Sequence, residues 1–329
     1  MSAFCASCTY VDQAQTVRPE GTSNSAVTPT PLPTPVPEKI DIDLEYELKS
    51  IADGVEGEIG IGAVLLETGD AAYRWREGRF PMQSVYKLPI AMAVLKMVDD
   101  GKVRLDQQVA ITPDDFVRPG FHSPIRNANP KGIVLSVSEI MRFSVSESDG
   151  TASDVLLDLA GGPAEVQKYL GSIGVTDLKV ANSEKEISRD WDTQYRNSST
   201  PEAAVKLLRV LHERLALSEA STVYLLGLMT ETETGRNRLK GKLPDGTVVA
   251  HKTGTGGTEK GITGATNDIG IITLPDGRHI AIAVFVKDSA ADGPTRERAI
   301  AEIANAVWDK WAFTAETPRR GEEREIFHR

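Results

Sequence analysis

Phe80-Pro81-Met82-Gln83-Ser84-Val85-Tyr86-Lys87 is the stretch on which the reading of this chain turns. An apolar run follows it to Asp100 and stops at Gly101, so the spacing predicts a helix from Ser84 to Asp100. Pro89 falls early in that helix, where a missing N–H costs least. Three residues apart on a helix, Ser84 and Lys87 share a face. A serine hydroxyl is a weak nucleophile at neutral pH and needs a base or a cation beside it. A lysine whose pKa is depressed by burial or by a second cation can serve as either. Free N–H groups at a helix start can also hold an oxyanion. Taken alone, Ser-x-x-Lys arises by chance in many chains.

Working outward, helical spacing covers Asp41 to Ala52. Glu58–Glu67 and Ala71–Glu77 read as two strands joined by Thr68-Gly69-Asp70. A mainly helical middle runs to about Met229. Thr247–Lys252, Gly264–Leu274 and His279–Lys287 then read as three more strands, the last two joined across Pro275-Asp276-Gly277. Arg296–Ala312 is a closing amphipathic helix. Strands at both ends with helices between them predict an α/β chain of the α+β type. One antiparallel five-stranded sheet is built from both termini and flanked by helices, with an all-helical subdomain inserted and a cleft between the two. The domain reading is a Pro-rich tether over 1–39 and a folded domain over 40–313, followed by a charged tail over 314–329. Within the domain the sheet part is about 40–83 and 230–313, and the helical part about 84–229.

Two more stretches carry chemistry. Ser148-Asp149-Gly150 lies in the helical middle, where a second hydroxyl can pass a proton to a leaving nitrogen. It reads equally as a turn and helix cap. Lys252-Thr253-Gly254, followed by Thr255, lies on a predicted strand. A strand edge can pair with an amide-like substrate while Lys252 and Thr253 hold a carboxylate, and Gly254 keeps side-chain bulk out of the groove. The plainer reading is a strand end running into a loop.

Composition excludes several classes. With 37 Lys+Arg against 47 Asp+Glu, the 329-residue chain has a net charge of −10 and no basic cluster suited to nucleic acid. No apolar run reaches transmembrane length. The two cysteines, Cys5 and Cys8, leave the folded part without an internal disulfide. The small residues ahead of Cys8 suggest the end of a secretory signal and a lipid anchor at Cys8. His122, His212, His251, His279 and His328 show no metal-ligand spacing, and no nucleotide motif is present, so neither metal nor cofactor is expected.

As a set the three motifs are not bland. Ser148 follows Ser84 by 64 residues and precedes Lys252 by 104. In this order and spacing the chain resembles the class A serine β-lactamases, which share the three motifs with penicillin-binding proteins. The stretches 80–87, 190–195 and 251–287 are most similar to the subgroup that includes extended-spectrum enzymes. The resemblance implies a monomer, periplasmic or secreted, that hydrolyses penicillins and cephalosporins through an acyl-enzyme on Ser84. It implies backbone N–H groups of Ser84 and Thr255 as oxyanion hole, Ser148 as proton relay, and Lys252, Thr253 and Arg238 as holders of the substrate carboxylate. Counting back from Asp190-Trp191 gives Glu184 as the base that activates the deacylating water, with Glu186 as the alternative. Three positions depart from the family pattern. Gly150 stands in place of the usual Asn, Ser188 in place of an Asn or His near the water, and His122 in place of an aromatic gate. The rivals are a penicillin-binding D,D-peptidase, which would not need Glu184, and an acylated sensor domain, which would normally hang from transmembrane helices.

Overall fold

Residues 36–187 and 189–312 are described by the computed structural model. Cys5, Cys8, the tether up to Pro35, Ser188 and the tail from residue 313 lie outside the described residues.

Five long strands form the main sheet. Across it they run 70–74, 58–65, 279–289, 262–273 and 249–255, each antiparallel to its neighbour. Two strands of two residues bring the sheet to seven. Lys39–Ile40 pairs in parallel with Asp70–Ala71, and Thr258–Glu259 pairs with Ile262–Thr263. A two-residue strand has no period for a sequence to reveal.

Both faces of the sheet are covered, and the strand 279–289 shows how. Ile280, Ile282, Val284 and Val286 face a cluster with Leu44 and Leu48 of the helix Ile42–Asp53 and Ile300, Ile303 and Val307 of the helix Gly293–Ala312. Ala281, Ala283 and Phe285 alternate with them and face the opposite cluster, which includes Phe80, Val205 and Leu208. Two-residue periodicity thus sorts one strand between two cores. Each such aliphatic side chain stabilises the fold by about 1.5–3 kcal/mol.

The second cluster continues into the helical part. The helix Lys87–Asp99 runs through its middle, with every residue from Lys87 to Leu95 buried. Around it lie Val137–Val145, Gly150–Leu159, Pro163–Ser172, Pro201–His212 and Glu219–Thr230. The middle is not purely helical, as the sequence suggests. Gln108–Ile111 pairs with Ile133–Ser136, and three two-residue strands tie Phe80–Pro81, Ser198–Ser199 and Leu178–Lys179 together.

One expected boundary moves with consequence. The α-helix starts at Lys87, not at Ser84, and Gln83–Tyr86 is a 3₁₀ turn. Pro89 has no N–H to bond the carbonyl of Val85, so the α ladder cannot extend back through that position. The preceding turn closes instead with the tighter bond from the Lys87 N–H to the Ser84 carbonyl.

Candidate active site

Ser84 sits in the 3₁₀ turn and lines a cleft with Lys87, Ser148, Glu184, Thr253 and Thr255. The turn begins with Gln83 at φ 48, a left-handed conformation rare outside glycine. Gln83 is held there by its side-chain N–H, which donates to Gln194 Oε1 at 2.8 Å. The strand 249–255 packs directly on the turn. A Cβ at Gly254 would lie 2.3 Å from the Met82 carbonyl and 3.3 Å from the Ser84 nitrogen. Gly254 therefore permits close backbone approach beneath the serine, a different reason from the open groove suggested by sequence.

Ser148 is the hub. It has φ 58 between two helices, so a serine is held in the left-handed region. Asp149 fixes it from behind, accepting from the backbone N–H groups of Ile125 at 2.7 Å and Ala152 at 2.9 Å and so capping the next helix. Lys87 Nζ donates to the Ser148 carbonyl at 2.7 Å, and Lys252 Nζ donates to Ser148 Oγ at 2.9 Å. Lys252 does not itself line the cleft and is wholly buried. Burial pushes its ammonium well below the ordinary lysine value, and the positive charge of Lys87 pushes the same way. Asp268 opposes both from behind the strand, where its carboxylate lies 2.9 Å from His251 Nδ1.

Glu184 Oε1 lies 2.9 Å from Lys87 Nζ. Its loop is held by groups that the sequence reading does not single out. Asp154 Oδ1 accepts from the Glu184 N–H at 2.7 Å, and Oδ2 accepts from the Lys185 N–H at 3.0 Å. Burial, joined by the charge of Glu184, pushes the Asp154 carboxyl up to about 7 against these two bonds. Asn197 Oδ1 accepts from the N–H groups of Ala181 and Asn182, and its Nδ2 donates to the Asn182 carbonyl. The Asn197 carbonyl in turn accepts from the Met82 N–H at 2.8 Å. The loop and the Ser84 turn thus share one anchor. The sequence signal for Asp154 is weak, an acid one turn into a helix that also holds Thr151, Ser153 and a second acid, Asp158. Glu186, the alternative to Glu184, accepts from the Ser183 N–H at 3.0 Å and does not line the cleft.

At the rim, His122 is exposed and lines the cleft beside Phe121, with Nε2 2.9 Å from the Glu147 carbonyl. Gly150 is buried behind it, its N–H donating to the His122 carbonyl at 2.9 Å. Thr253 Oγ1 pairs with Thr234 Oγ1 at 2.7 Å, adding Thr234 to the cleft wall. Arg238 is buried and does not line the cleft. It donates to the carbonyls of Gly254 and Asn267, to Thr255 Oγ1 at 2.8 Å and to Glu297 Oε1 at 3.1 Å. It reaches the cleft through the Thr255 hydroxyl.

The chain is similar to known proteins over most of its length. The family model described as the β-lactamase enzyme family matches residues 43–311. The chain is 45% identical to β-lactamase VEB-1 of Pseudomonas aeruginosa over 232 residues, covering 70% of this chain and 77% of that protein. It is 43% identical to the extended-spectrum β-lactamase PER-1 of Pseudomonas aeruginosa, covering 70% and 75%. The crystal structure of a β-lactamase from Chitinophaga pinensis DSM 2588 superposes with a TM-score of 0.80 at 42% identity, covering 82% of this chain and 99% of that one. With the Ser84 turn, two buried lysines and a loop carboxylate gathered in the matched region, the chain belongs to the β-lactamase enzyme family, in its class A serine branch.

Proposed function

We propose that the chain opens the lactam ring of penicillins and cephalosporins by acylation of Ser84 and releases the product with water activated by Glu184. The observation that carries this reading is the Lys87 ammonium, held between the Ser148 carbonyl at 2.7 Å and Glu184 Oε1 at 2.9 Å in the cleft that Ser84 lines. Ser84 Oγ attacks the lactam carbonyl carbon while its proton leaves through water to Glu184, or to Lys87 once that ammonium has given a proton to Glu184. The N–H groups of Ser84 and Thr255 take the oxyanion. The carbon–nitrogen bond breaks and the ring nitrogen receives its proton through Ser148 Oγ, which Lys252 polarises. Thr253 holds the substrate carboxylate with Lys252 supplying charge from behind, and Arg238 orients Thr255. Its carboxylate restored as the ring nitrogen is protonated, Glu184 then takes a proton from water, which attacks the acyl carbon, and that proton passes to Ser84 Oγ as the ester bond breaks.

Hydrolysis of a chromogenic cephalosporin by wild type and Glu184→Ala, followed by intact mass, tests this. Multiple turnovers in wild type with a trapped adduct in the variant support it. One stoichiometric burst from both proteins would instead mean a D,D-peptidase or a sensor.

The same reading makes the enzyme a monomer outside the cytoplasm, with Cys8 lipidated. Among the described residues no helix is long and apolar enough to cross a membrane. Light scattering tests the monomer. Mass spectrometry of protein expressed from the full upstream gene tests the anchor, and an unmodified N-terminus rejects it.

A further inference from the structure

Glu67, His212 and His279 are brought together from three elements. Glu67 follows the strand 58–65, His212 ends the helix Pro201–His212, and His279 starts the strand 279–289. One ligand atom from each lies within 4.8 Å of those of the other two. His279 Nδ1 lies 2.8 Å from Glu67 Oε1, and the His279 backbone N–H donates to Glu67 Oε2 at 2.9 Å. The two imidazole rings lie with centroids 4.2 Å apart, tilted 46° to one another. None of these side chains lines the cleft. Val286 is level with Thr255 through Thr266, and His279 is seven residues further along the same strand. At strand rise this puts the cluster about 24 Å from the cleft end of the sheet.

Paired imidazoles with an adjacent carboxylate are an unusual surface choice. If both were charged they would repel across that short gap.

We propose that Glu67, His212 and His279 bind one divalent transition-metal ion of the zinc class, apart from the active site. Nitrogen and carboxylate donors bind such an ion at about 2.0–2.2 Å, which needs donors closer together than they stand. Rotation of partly exposed side chains on fixed backbones supplies this closure. The Glu67 and His279 side chains are 38% and 26% exposed, and the Leu66 N–H is bonded to the His279 carbonyl at 2.9 Å. Two imidazoles disfavour calcium and magnesium, which take oxygen ligands. Glu213 adjoins His212 and adds a second carboxylate to the neighbourhood. The bound ion would clip the helix 201–212 to the ends of two neighbouring sheet strands, so it would stabilise the fold and leave the chemistry alone. Sequence spacing hides this cluster, because 212 residues separate Glu67 from His279.

The test is calorimetric titration of zinc chloride into the full chain without a histidine tag, with thermal melts alongside. Wild type and a Cys5→Ser/Cys8→Ser variant are expected to bind one zinc ion with equal affinity and to melt higher with zinc. His212→Gln and His279→Gln are expected to bind at least about tenfold more weakly, with no rise in melting temperature, while cephalosporin hydrolysis confirms that both are folded. Equal affinity in the histidine variants, loss of binding in the cysteine variant, or no binding by wild type would each overturn the proposal. Should either Gln variant fail to fold, Glu67→Gln replaces it under the same criteria.

Discussion

Lys87 and Lys252 meet on opposite sides of one serine, one ammonium on the Ser148 carbonyl and the other on Ser148 Oγ. Two cations so close, both buried, would repel without groups to divide them. Glu184 neutralises the first, and Asp268 draws on the second from behind the strand.

Removing Ser148 Oγ should separate chemistry from backbone strain. Ser148→Ala leaves Lys252 with only the Thr253 carbonyl at 3.1 Å. We expect kcat/KM to fall about 10²-fold or more, and stability to fall by about 1–3 kcal/mol. Ser148→Gly relaxes the φ of 58 and should recover part of the stability with none of the activity. Steady-state kinetics and urea melts on both variants check this, and equal recovery of activity in the glycine variant would reject the relay role.

Asp154 should give the loop a pH signature. Its folded pKa of about 7 stands above the ordinary value of 3.8. The folded state therefore holds a proton that the unfolded state has released, and stability from this group is present below pH 4 and is lost as pH rises through 7. The slope from this group approaches about 1.4 kcal/mol per pH unit within that window. Asp154→Asn removes that slope. It also leaves one of the Glu184 and Lys185 N–H groups without an acceptor, so kcat should fall while acylation persists. Chemical melts from pH 4 to 8 read the first effect and burst kinetics the second. A variant with the wild-type slope would remove Asp154 from the account.

Gly150 is the position where the family pattern has an asparagine, and the space is nearly closed. A Cβ there would stand 3.2 Å from the His122 carbonyl and 3.3 Å from Val117 Cγ1. Gly150→Asn is expected to change relative kcat/KM among substrates by about tenfold, since a hydrogen bond to a charged partner contributes about 1.5–3 kcal/mol. It should also lower stability, and Val117→Ala should restore it by making room. Unchanged kinetics on every penicillin and cephalosporin tested would refute the specificity role.

Gly254→Ala drives a Cβ into the Met82 carbonyl and should shift the turn that carries Ser84. Overpacking of this kind costs about 1–3 kcal/mol, and acylation should slow more than deacylation because Glu184 sits on a different loop. Pre-steady-state kinetics distinguish the steps, with an unchanged acylation rate contradicting the packing argument.

The chain's own order of residues determined its family and fold class. Ser84, Ser148 and Lys252 are legible as motifs because each keeps a fixed spacing on a helix turn, a cap or a strand. Five strands are legible from period and turn residues such as Gly277, which takes φ 87 in the hairpin. Tertiary structure alone decided the rest. Arg238 turns inward because carbonyls 16 and 29 residues away collect its donors. Asp154, Asn197 and the Glu67, His212 and His279 cluster emerge only when distant segments meet. Local spacing encodes local structure, but a hydrogen bond between residues far apart in sequence leaves no periodic trace in either partner.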